Sequence, residues 1–144
     1  MNRRPSSCDH GTSAIEFALL APVFALLLLG LIDVGRYTYF AILAAHAARA
    51  GVQYGAQNVY SAADTTGMQN ASQADVPSGF TALASHYCML SGTIVTCSTG
   101  TPTNANTYYV KVIVSGTFHS IFKYPGIPQS VTVGSTAQMR VVAQ

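Results

Sequence analysis

Residues 11–33 read GTSAIEFALLAPVFALLLLGLID, and this stretch decides the fold of the chain. From Thr12 to Ile32 it is 21 residues long and carries a single charge, that of Glu16. At about 1.5 Å of rise per residue, a helix of this length crosses the ~30 Å hydrocarbon core of a bilayer. The stretch therefore predicts a membrane-spanning helix.

The residues on either side of this stretch indicate that it is a retained helix with its N-terminus in the cytoplasm. Arg3 and Arg4 stand ahead of it, which places that end on the cytoplasmic side by the positive-inside rule. No small-residue cleavage site follows it, as one would in a secretory signal. Tyr37, Tyr39 and Phe40 follow instead, as in an interfacial aromatic belt.

The overall composition agrees with a chain that is partly in lipid or covered by partners. Of its 144 residues, 49% are hydrophobic and only 8% are charged, against roughly 25% charged in ordinary soluble domains. Seven basic and five acidic residues give a net charge of +2. This charge is too small for the basic field that binds nucleic acid, so we expect no nucleic-acid partner.

The chain divides into three predicted segments. Residues 1–11 form a short basic leader, in which Gly11 acts as a helix breaker. Residues 12–57 form one long helix, whose membrane part is about 12–33 and which Pro22 should kink or loosen. Residues 58–144 form a periplasmic or extracellular α+β domain.

Small residues on the long helix predict close packing. Gly30 lies in the membrane part, where we favour contacts with other subunits of a polymer. Ala47, Gly51 and Gly55 recur at four-residue spacing in the outer part, which allows close backbone approach. This outer stripe serves either the chain's own core or a polymer contact, and we favour the core.

The C-terminal segment predicts antiparallel strands. A short helix near 68–75 precedes a hairpin at 87–97 and strands at 108–118 and 130–142. Three to four antiparallel strands need a helix over their apolar face, so the predicted fold class is α+β, with a long N-terminal membrane-spanning helix packed on a small sheet. The residues predicted to face inward are Val110, Val112, Val114, Val131, Val133, Ala137, Met139 and Val141.

The three cysteines separate by compartment. Cys8 falls on the cytoplasmic side, where thiols stay reduced, whereas Cys88 and Cys97 lie beyond the membrane, where disulfides persist. A two-residue turn at Gly92-Thr93 would place Cys88 directly opposite Cys97. We therefore predict a disulfide between them.

Glu16 is the residue with the clearest functional signal. A charge inside a bilayer costs roughly 2.5–3.5 kcal/mol on insertion scales, so an intramembrane carboxylate is usually paired or functional. Cleavage after Gly11 would give Thr12 a free α-amine. Glu16 of a neighbouring subunit would then neutralise that amine and fix the register of a helical fibre.

The stretch GTSAIEFALLAPVFALLLLGLIDVGRYTYF, followed by AAHAARAGVQYG, resembles the N-terminal half of TadE-like proteins. These are pseudopilins of the tight-adherence (Tad) pilus, a branch of the type IV pilus superfamily. By this resemblance Gly11 precedes the prepilin-peptidase cut, Glu16 is the family's acidic residue, and Phe17 is the aromatic residue that follows it. The strand pair YVKVIVSGTF and SVTVGSTAQMRV, with its proline-containing link, is similar to the family's C-terminal strands.

The resemblance implies a minor pilin. A prepilin peptidase would remove residues 1–11, and a platform and motor ATPase would add the subunit, together with other pilins, to a pilus or its tip complex for adhesion and biofilm formation. The subunit would wait in the inner membrane with its sheet in the periplasm and become extracellular after assembly. Thr12 would be the first mature residue, where classical type IV pilins have phenylalanine, so N-methylation is not implied.

The competing interpretation is a signal-anchored periplasmic domain that keeps its leader, binds a ligand or surface, and does not polymerise. An enzyme ranks third, because the sequence has no catalytic constellation and implies no cofactor. Cys8 and His10 lack a second ligand pair, so we expect no metal site. Asp33 and Arg36, three residues apart, are interpreted as a solvated pair at the membrane boundary.

Overall fold

The computed structural model describes residues 9–74, 76–97, 107–123, 126 and 128–141. Most of the predicted leader, including Cys8, lies outside these residues, as do most of the loop after Cys97 and parts of the link between the last two strands. The chain separates into an N-terminal unit, Met1–Arg36, and a C-terminal unit, Tyr37–Gln144. The fold class is α+β, with a long apolar N-terminal helix and a four-stranded antiparallel sheet.

Helix α1 runs from Asp9 to Gly55, a length of 47 residues. It begins before Thr12, so Gly11 lies within the helix and does not break it as predicted. Pro22 also lies within the helix, which continues on both sides of it. A proline removes one backbone hydrogen bond, and membrane helices tolerate this loss where neighbouring groups satisfy the freed carbonyl.

Two short helices connect α1 to the sheet. Helix α2 spans Val59–Ala63 and is capped by Asn58, whose side chain accepts a hydrogen bond from the backbone N–H of Ser61. Helix α3 spans Thr65–Gln73 and is capped by Asp64. Asn and Asp are favoured at these positions because their oxygens satisfy N–H groups that the first turn leaves unpaired. The sequence predicted one short helix here, near 68–75.

The sheet has the strand order β2-β1-β3-β4 and is antiparallel throughout. Its strands are β1 (Phe80–Leu90), β2 (Thr93–Val95), β3 (Thr107–His119) and β4 (Ser130–Arg140). β1 begins seven residues before the predicted hairpin, because FTALASH pairs with β3 along its whole length. Residues 80–86 lack the run of β-branched side chains that marks β3, so the strand signal of this segment is weak.

The hydrophobic core of the C-terminal unit lies between the outer part of α1 and the inner face of the sheet. The predicted inward positions of β3 are fully buried. Val133 on β4 and Val141, the residue after this strand, are also buried, whereas Val131 and Met139 remain partly exposed. β4 is an edge strand, so its inner face has less cover than that of β3. The buried core residues are Ala44, Ala47, Ala48, Val52, Ala56, Ala62, Met68, Ala82, Cys88, Tyr108, Val110, Val112, Val114 and Val141.

Candidate functional site

The predicted cleavage and assembly residues lie near the start of α1. Thr12 and Glu16 are four residues apart and so occupy one face of the helix. Gly11, Glu16 and Phe17 are all exposed, and a Cβ atom added to Gly11 would meet nothing within 4 Å. Among the described residues of the N-terminal unit, none packs against these three positions in a way that requires these residue types.

The apolar run of α1 has the length and composition of a membrane span. The core helix of a soluble protein meets the same criteria, but such a helix is mostly buried, and the most apolar window of α1 is not. An exposed surface of this kind calls for lipid or for neighbouring helices. Its exposed large side chains are Ile15, Phe17, Leu19, Leu20, Val23, Phe24, Leu26, Leu27, Leu28, Leu31 and Ile32.

Asp33 and Arg36 form an ion pair at the end of this run. Arg36 Nη1 donates to Asp33 Oδ1 at 3.2 Å. Asp33 is only 8% exposed, so the expected solvated pair is wrong for the carboxylate. Arg36 lies three residues along the same helix, which brings its guanidinium over the acid. A buried carboxylate without such a cation would be costly.

The small residues of α1 fall into two groups. In the outer part, Gly51 and Gly55 leave room for α3 and β3: a Cβ atom on Gly51 would collide with Ser72 Oγ and stand 2.9 Å from the carbonyl oxygen of Met68, and one on Gly55 would collide with the Met68 sulfur. Ala47 is fully buried beside them. In the membrane part, Gly30 has nothing within 4 Å of an added Cβ atom, and Pro22 is exposed.

A disulfide joins Cys88 and Cys97, whose Cα atoms are 5.2 Å apart. The predicted turn was wrong, however. Ser91 and Gly92 are the central turn residues, both with positive φ (50° and 85°), and Leu90 pairs with Thr93. Positive φ at both positions defines a type I′ turn, whose twist matches that of the flanking strands. Cys88 consequently lies opposite Val95, where β2 ends, and the next two residues leave the ladder to bring Cys97 to its partner.

Sequence reasoning missed a polar contact that links the outer end of α1 to α3. The Tyr54 hydroxyl donates to Asp64 Oδ2 at 2.9 Å, and Asp64 Oδ1 accepts from the backbone N–H of Gly67 at 2.8 Å. The Gly67 N–H and the Tyr54 hydroxyl lower the pKa of the Asp64 carboxyl. The hydrogen bond to Asp64 in turn raises the pKa of Tyr54. An Asp at the start of a helix is a capping signal that the sequence shows. The hydrogen bond from Tyr54, ten residues earlier, has no such local signal.

An aromatic cluster at the start of the C-terminal unit was also missed as a cluster. Tyr37 packs edge-on against Phe118, with ring centroids 5.8 Å apart. Phe40 contacts Phe118 at 5.8 Å and stacks on Phe80 at 6.0 Å. The sequence identified Tyr37 and Phe40 as interfacial aromatics but gave no sign of their partners on β1 and β3.

Within the part of the chain that the structure describes, no three His, Cys, Asp or Glu residues come close enough to hold a metal ion. A shallow surface depression beside the disulfide is lined by His86, Tyr87, Ile94 and the segment 95–97. His86 is the one histidine among its lining residues.

Comparison with known proteins finds a family match for the segment that carries the candidate site. A search of curated proteins and a search of solved structures each found no match. A protein-family model for the TadE-like protein matches residues 11–53, which begin at Gly11 and include Glu16, Phe17 and Gly51. Over residues 11–53 the chain is therefore similar to TadE-like proteins.

Proposed function

We propose that this protein is a minor pilin of a Tad-type pilus. A prepilin peptidase cuts it between Gly11 and Thr12, and its N-terminal helix then assembles with other pilins into the pilus or its tip complex. The inner-membrane platform and motor ATPase drive this step, and the pilus serves adhesion and biofilm formation. The role is structural and not catalytic.

The observation that carries the proposal is the setting of Glu16. It is the one charged residue between positions 11 and 32, and it lies on an exposed helix whose other large side chains are apolar. It stands four residues from Thr12, the residue that would bear the new α-amine. Pairing with the amine of an adjacent subunit gives the carboxylate a partner that its own helix lacks over these positions.

Gly30 gives a second argument for assembly. A glycine inside a helix costs roughly 1 kcal/mol relative to alanine. No close contact within the described residues requires this glycine, because an added Cβ atom would meet nothing within 4 Å. Small residues in membrane helices allow neighbouring helices to approach closely. A neighbouring pilin helix is the partner that would use this position.

The size of the C-terminal unit supports a minor role. The resemblance implies that the major pilins of the system match only the first helix and have almost no globular part, whereas this chain adds two short helices and four strands around a core of its own. Such a domain would interrupt a closely packed shaft but fits at a tip or an initiation complex.

The decisive experiment is N-terminal sequencing of the full-length chain co-expressed with an active prepilin peptidase or with a catalytically dead one. We expect Thr12 as the first residue with the active enzyme and an uncut chain with the dead one. The Gly11→Val variant changes the residue before the cut and should stay uncleaved. It should still fold, because an added Cβ atom at this position meets nothing within 4 Å. Protein that keeps residues 1–11 beside the active peptidase would contradict the proposal and favour the signal-anchored, non-polymerising domain.

A further inference from the structure

The sheet of the C-terminal unit has one face against the helices and one face that no described element covers. Val110 and Val112 of β3 are fully buried and lie against Gly55 and Gly51 of α1. Successive side chains of a strand point to opposite faces of the sheet, so the odd-numbered residues of β3 point away from α1. We call this side of the sheet the outer face.

The strand register arranges the outer face in three neighbouring rows that cross β1, β3 and β4 in that order. Consecutive rows are two residues apart, which is about 7 Å along the strands. From one end to the other, the rows are Tyr87, Tyr109 and Arg140; Ser85, Lys111 and Gln138; and Leu83, Ile113 and Thr136. The polar middle row therefore lies between a row with two aromatic rings and a row with two aliphatic side chains.

The two tyrosines of the first row form one aromatic surface. The ring centroids of Tyr87 and Tyr109 are 5.4 Å apart, and their planes are 10° from parallel. The Tyr87 hydroxyl donates to Gln138 Oε1 at 3.4 Å. Because Gln138 is on β4, two strands away from β1, the Tyr87 side chain reaches across β3. Tyrosine offers a large apolar contact area with a polar hydroxyl at a low cost in conformational entropy.

The charge on the outer face has one sign. Lys111 lies opposite Gln138, so Arg140 is its diagonal neighbour, with Cβ atoms about 7–8 Å apart. Within the described residues neither cation makes an ion pair, and the sequence has no Asp or Glu after Asp75. The face is therefore complementary to an anionic occupant. A second copy of the same face would bring like charges together, which is unfavourable.

We propose that the outer face binds a carboxylated polysaccharide. Lys111 and Arg140 pair with carboxylates of the sugar chain, and a guanidinium can hold a carboxylate through two parallel hydrogen bonds. The apolar C–H faces of the sugar rings pack on the two tyrosines, as aromatic side chains with an apolar body allow. The serine, threonine and glutamine side chains of the rows bond the sugar hydroxyls.

The composition of the face favours a sugar over the other anionic polymers. A nucleic acid carries one phosphate per nucleotide, and two cations neutralise few of them. An acidic polypeptide would satisfy the two cations but offers few partners for the hydroxyl and amide groups around them. The adhesive use of this binding rests on the proposed function, whereas the binding itself requires neither cleavage nor assembly.

The test uses the full-length chain in a polyoxyethylene detergent, which carries neither charge nor sugar, with biolayer interferometry as the measurement. The immobilised probes are polygalacturonate and hyaluronate. Methyl-esterified polygalacturonate keeps the sugar and loses the charge, whereas polyglutamate keeps the charge and has no sugar. The variants are Lys111→Gln, Arg140→Gln and Tyr109→Leu. Arg49→Gln, at an exposed position of α1, is the control with the same change in net charge.

We expect the parent protein to bind at least one of the two carboxylated polysaccharides and to bind the ester and polyglutamate much more weakly. Lys111→Gln and Arg140→Gln should each weaken binding by up to about fivefold, the upper end for an exposed ion pair. Tyr109→Leu should also weaken it, and Arg49→Gln should bind as the parent does. Circular dichroism verifies that each variant is folded.

Three results would overturn the proposal. Binding to neither polysaccharide would show that the ligand class is wrong. Equal binding to polyglutamate would assign the face to an acidic polypeptide. A loss with Arg49→Gln as large as that with Lys111→Gln would indicate general charge attraction and no site. None of these results bears on cleavage between Gly11 and Thr12, and a chain that stays uncut would leave this binding unchanged.

Discussion

The Cα atom of Cys88 faces that of Val95 across the hairpin, two residues short of Cys97, to which Cys88 is bonded. The disulfide therefore does not join two residues that face each other in the sheet. It joins β1 to the segment that follows the three-residue strand β2. It holds residues 96 and 97 against the sheet at the point where strand pairing has stopped. Cys88 itself is fully buried in the core.

Loss of this disulfide should destabilise the C-terminal unit. We expect Cys88→Ser to lower the free energy of unfolding by about 2–4 kcal/mol, because the loop-closing constraint is lost and a hydroxyl enters the core. Thermal unfolding followed by circular dichroism in detergent measures the change. Cys8→Ser is the matched control and should leave the melting temperature unaltered. Equal melting temperatures for both variants would contradict a structural role for the bond.

Gly51 should not tolerate a methyl group. Gly51→Ala places its Cβ atom against Ser72 Oγ and 2.9 Å from the backbone carbonyl of Met68, which cannot move aside cheaply. We expect a loss of about 1–3 kcal/mol through overpacking, which outweighs the gain in helix propensity. Gly35→Ala is the control on the same helix, because an added Cβ atom there would meet nothing within 4 Å, and it should not lower stability. A melting temperature of Gly51→Ala equal to that of Gly35→Ala would refute the close packing of α1 on α3.

The Tyr54–Asp64 contact should make stability depend on pH at both extremes. The pKa of Asp64 is lowered, so its contribution is complete above the ordinary carboxyl range and is lost as pH falls through the lowered value, below about pH 4. The pKa of Tyr54 is raised, so its contribution is complete below about pH 10 and is lost as pH rises through the raised value.

Tyr54→Phe is the variant that isolates this effect, because it removes only the hydroxyl. The difference in melting temperature between the parent protein and Tyr54→Phe should be largest between about pH 5 and pH 9 and should shrink towards either extreme. Tyr60→Phe, at an exposed tyrosine, is the control and should show no such profile. A difference that stays constant over the whole range would argue against the hydrogen bond.

Glu16 should matter for assembly and not for folding. We expect Glu16→Gln to be cut by the prepilin peptidase and to fold normally, yet to enter pili far less than the parent protein, because the amine of the neighbouring Thr12 loses its counter-charge. Immunoblotting of sheared pili against whole cells measures incorporation. Glu16→Asp keeps the charge and should retain part of the parent protein's incorporation into pili. Pili that contain Glu16→Gln at the parent level would overturn the charge-pairing account.

The sequence predicted the elements whose physical signal is local. The apolar run of α1, the buried valines of β3 and the pairing of Cys88 with Cys97 follow from periodicity, length and compartment. It failed where the outcome depends on a distant partner strand or on the backbone conformation of a turn. Strand β1 forms because β3 offers it a long partner, and the Ser91-Gly92 turn wins because strand twist favours two positive φ values.

The candidate site divides in the same way. Glu16 and Gly11 are recognisable from their position relative to the apolar run, and the family match begins at Gly11. The Tyr54–Asp64 contact and the aromatic partners of Tyr37 join residues ten or more positions apart, so no local pattern announces them.

The buried alanines of α1 have a practical consequence for making a soluble form of this protein. Ala44, Ala47 and Ala48 supply one wall of the core, so a fragment that starts after α1 would expose the inner side of the sheet to water and should aggregate. A truncation that starts at Tyr37 removes the apolar run of α1 but keeps these three alanines. The shortest fragment suited to crystallisation or antibody production is therefore 37–144, which keeps the outer part of α1.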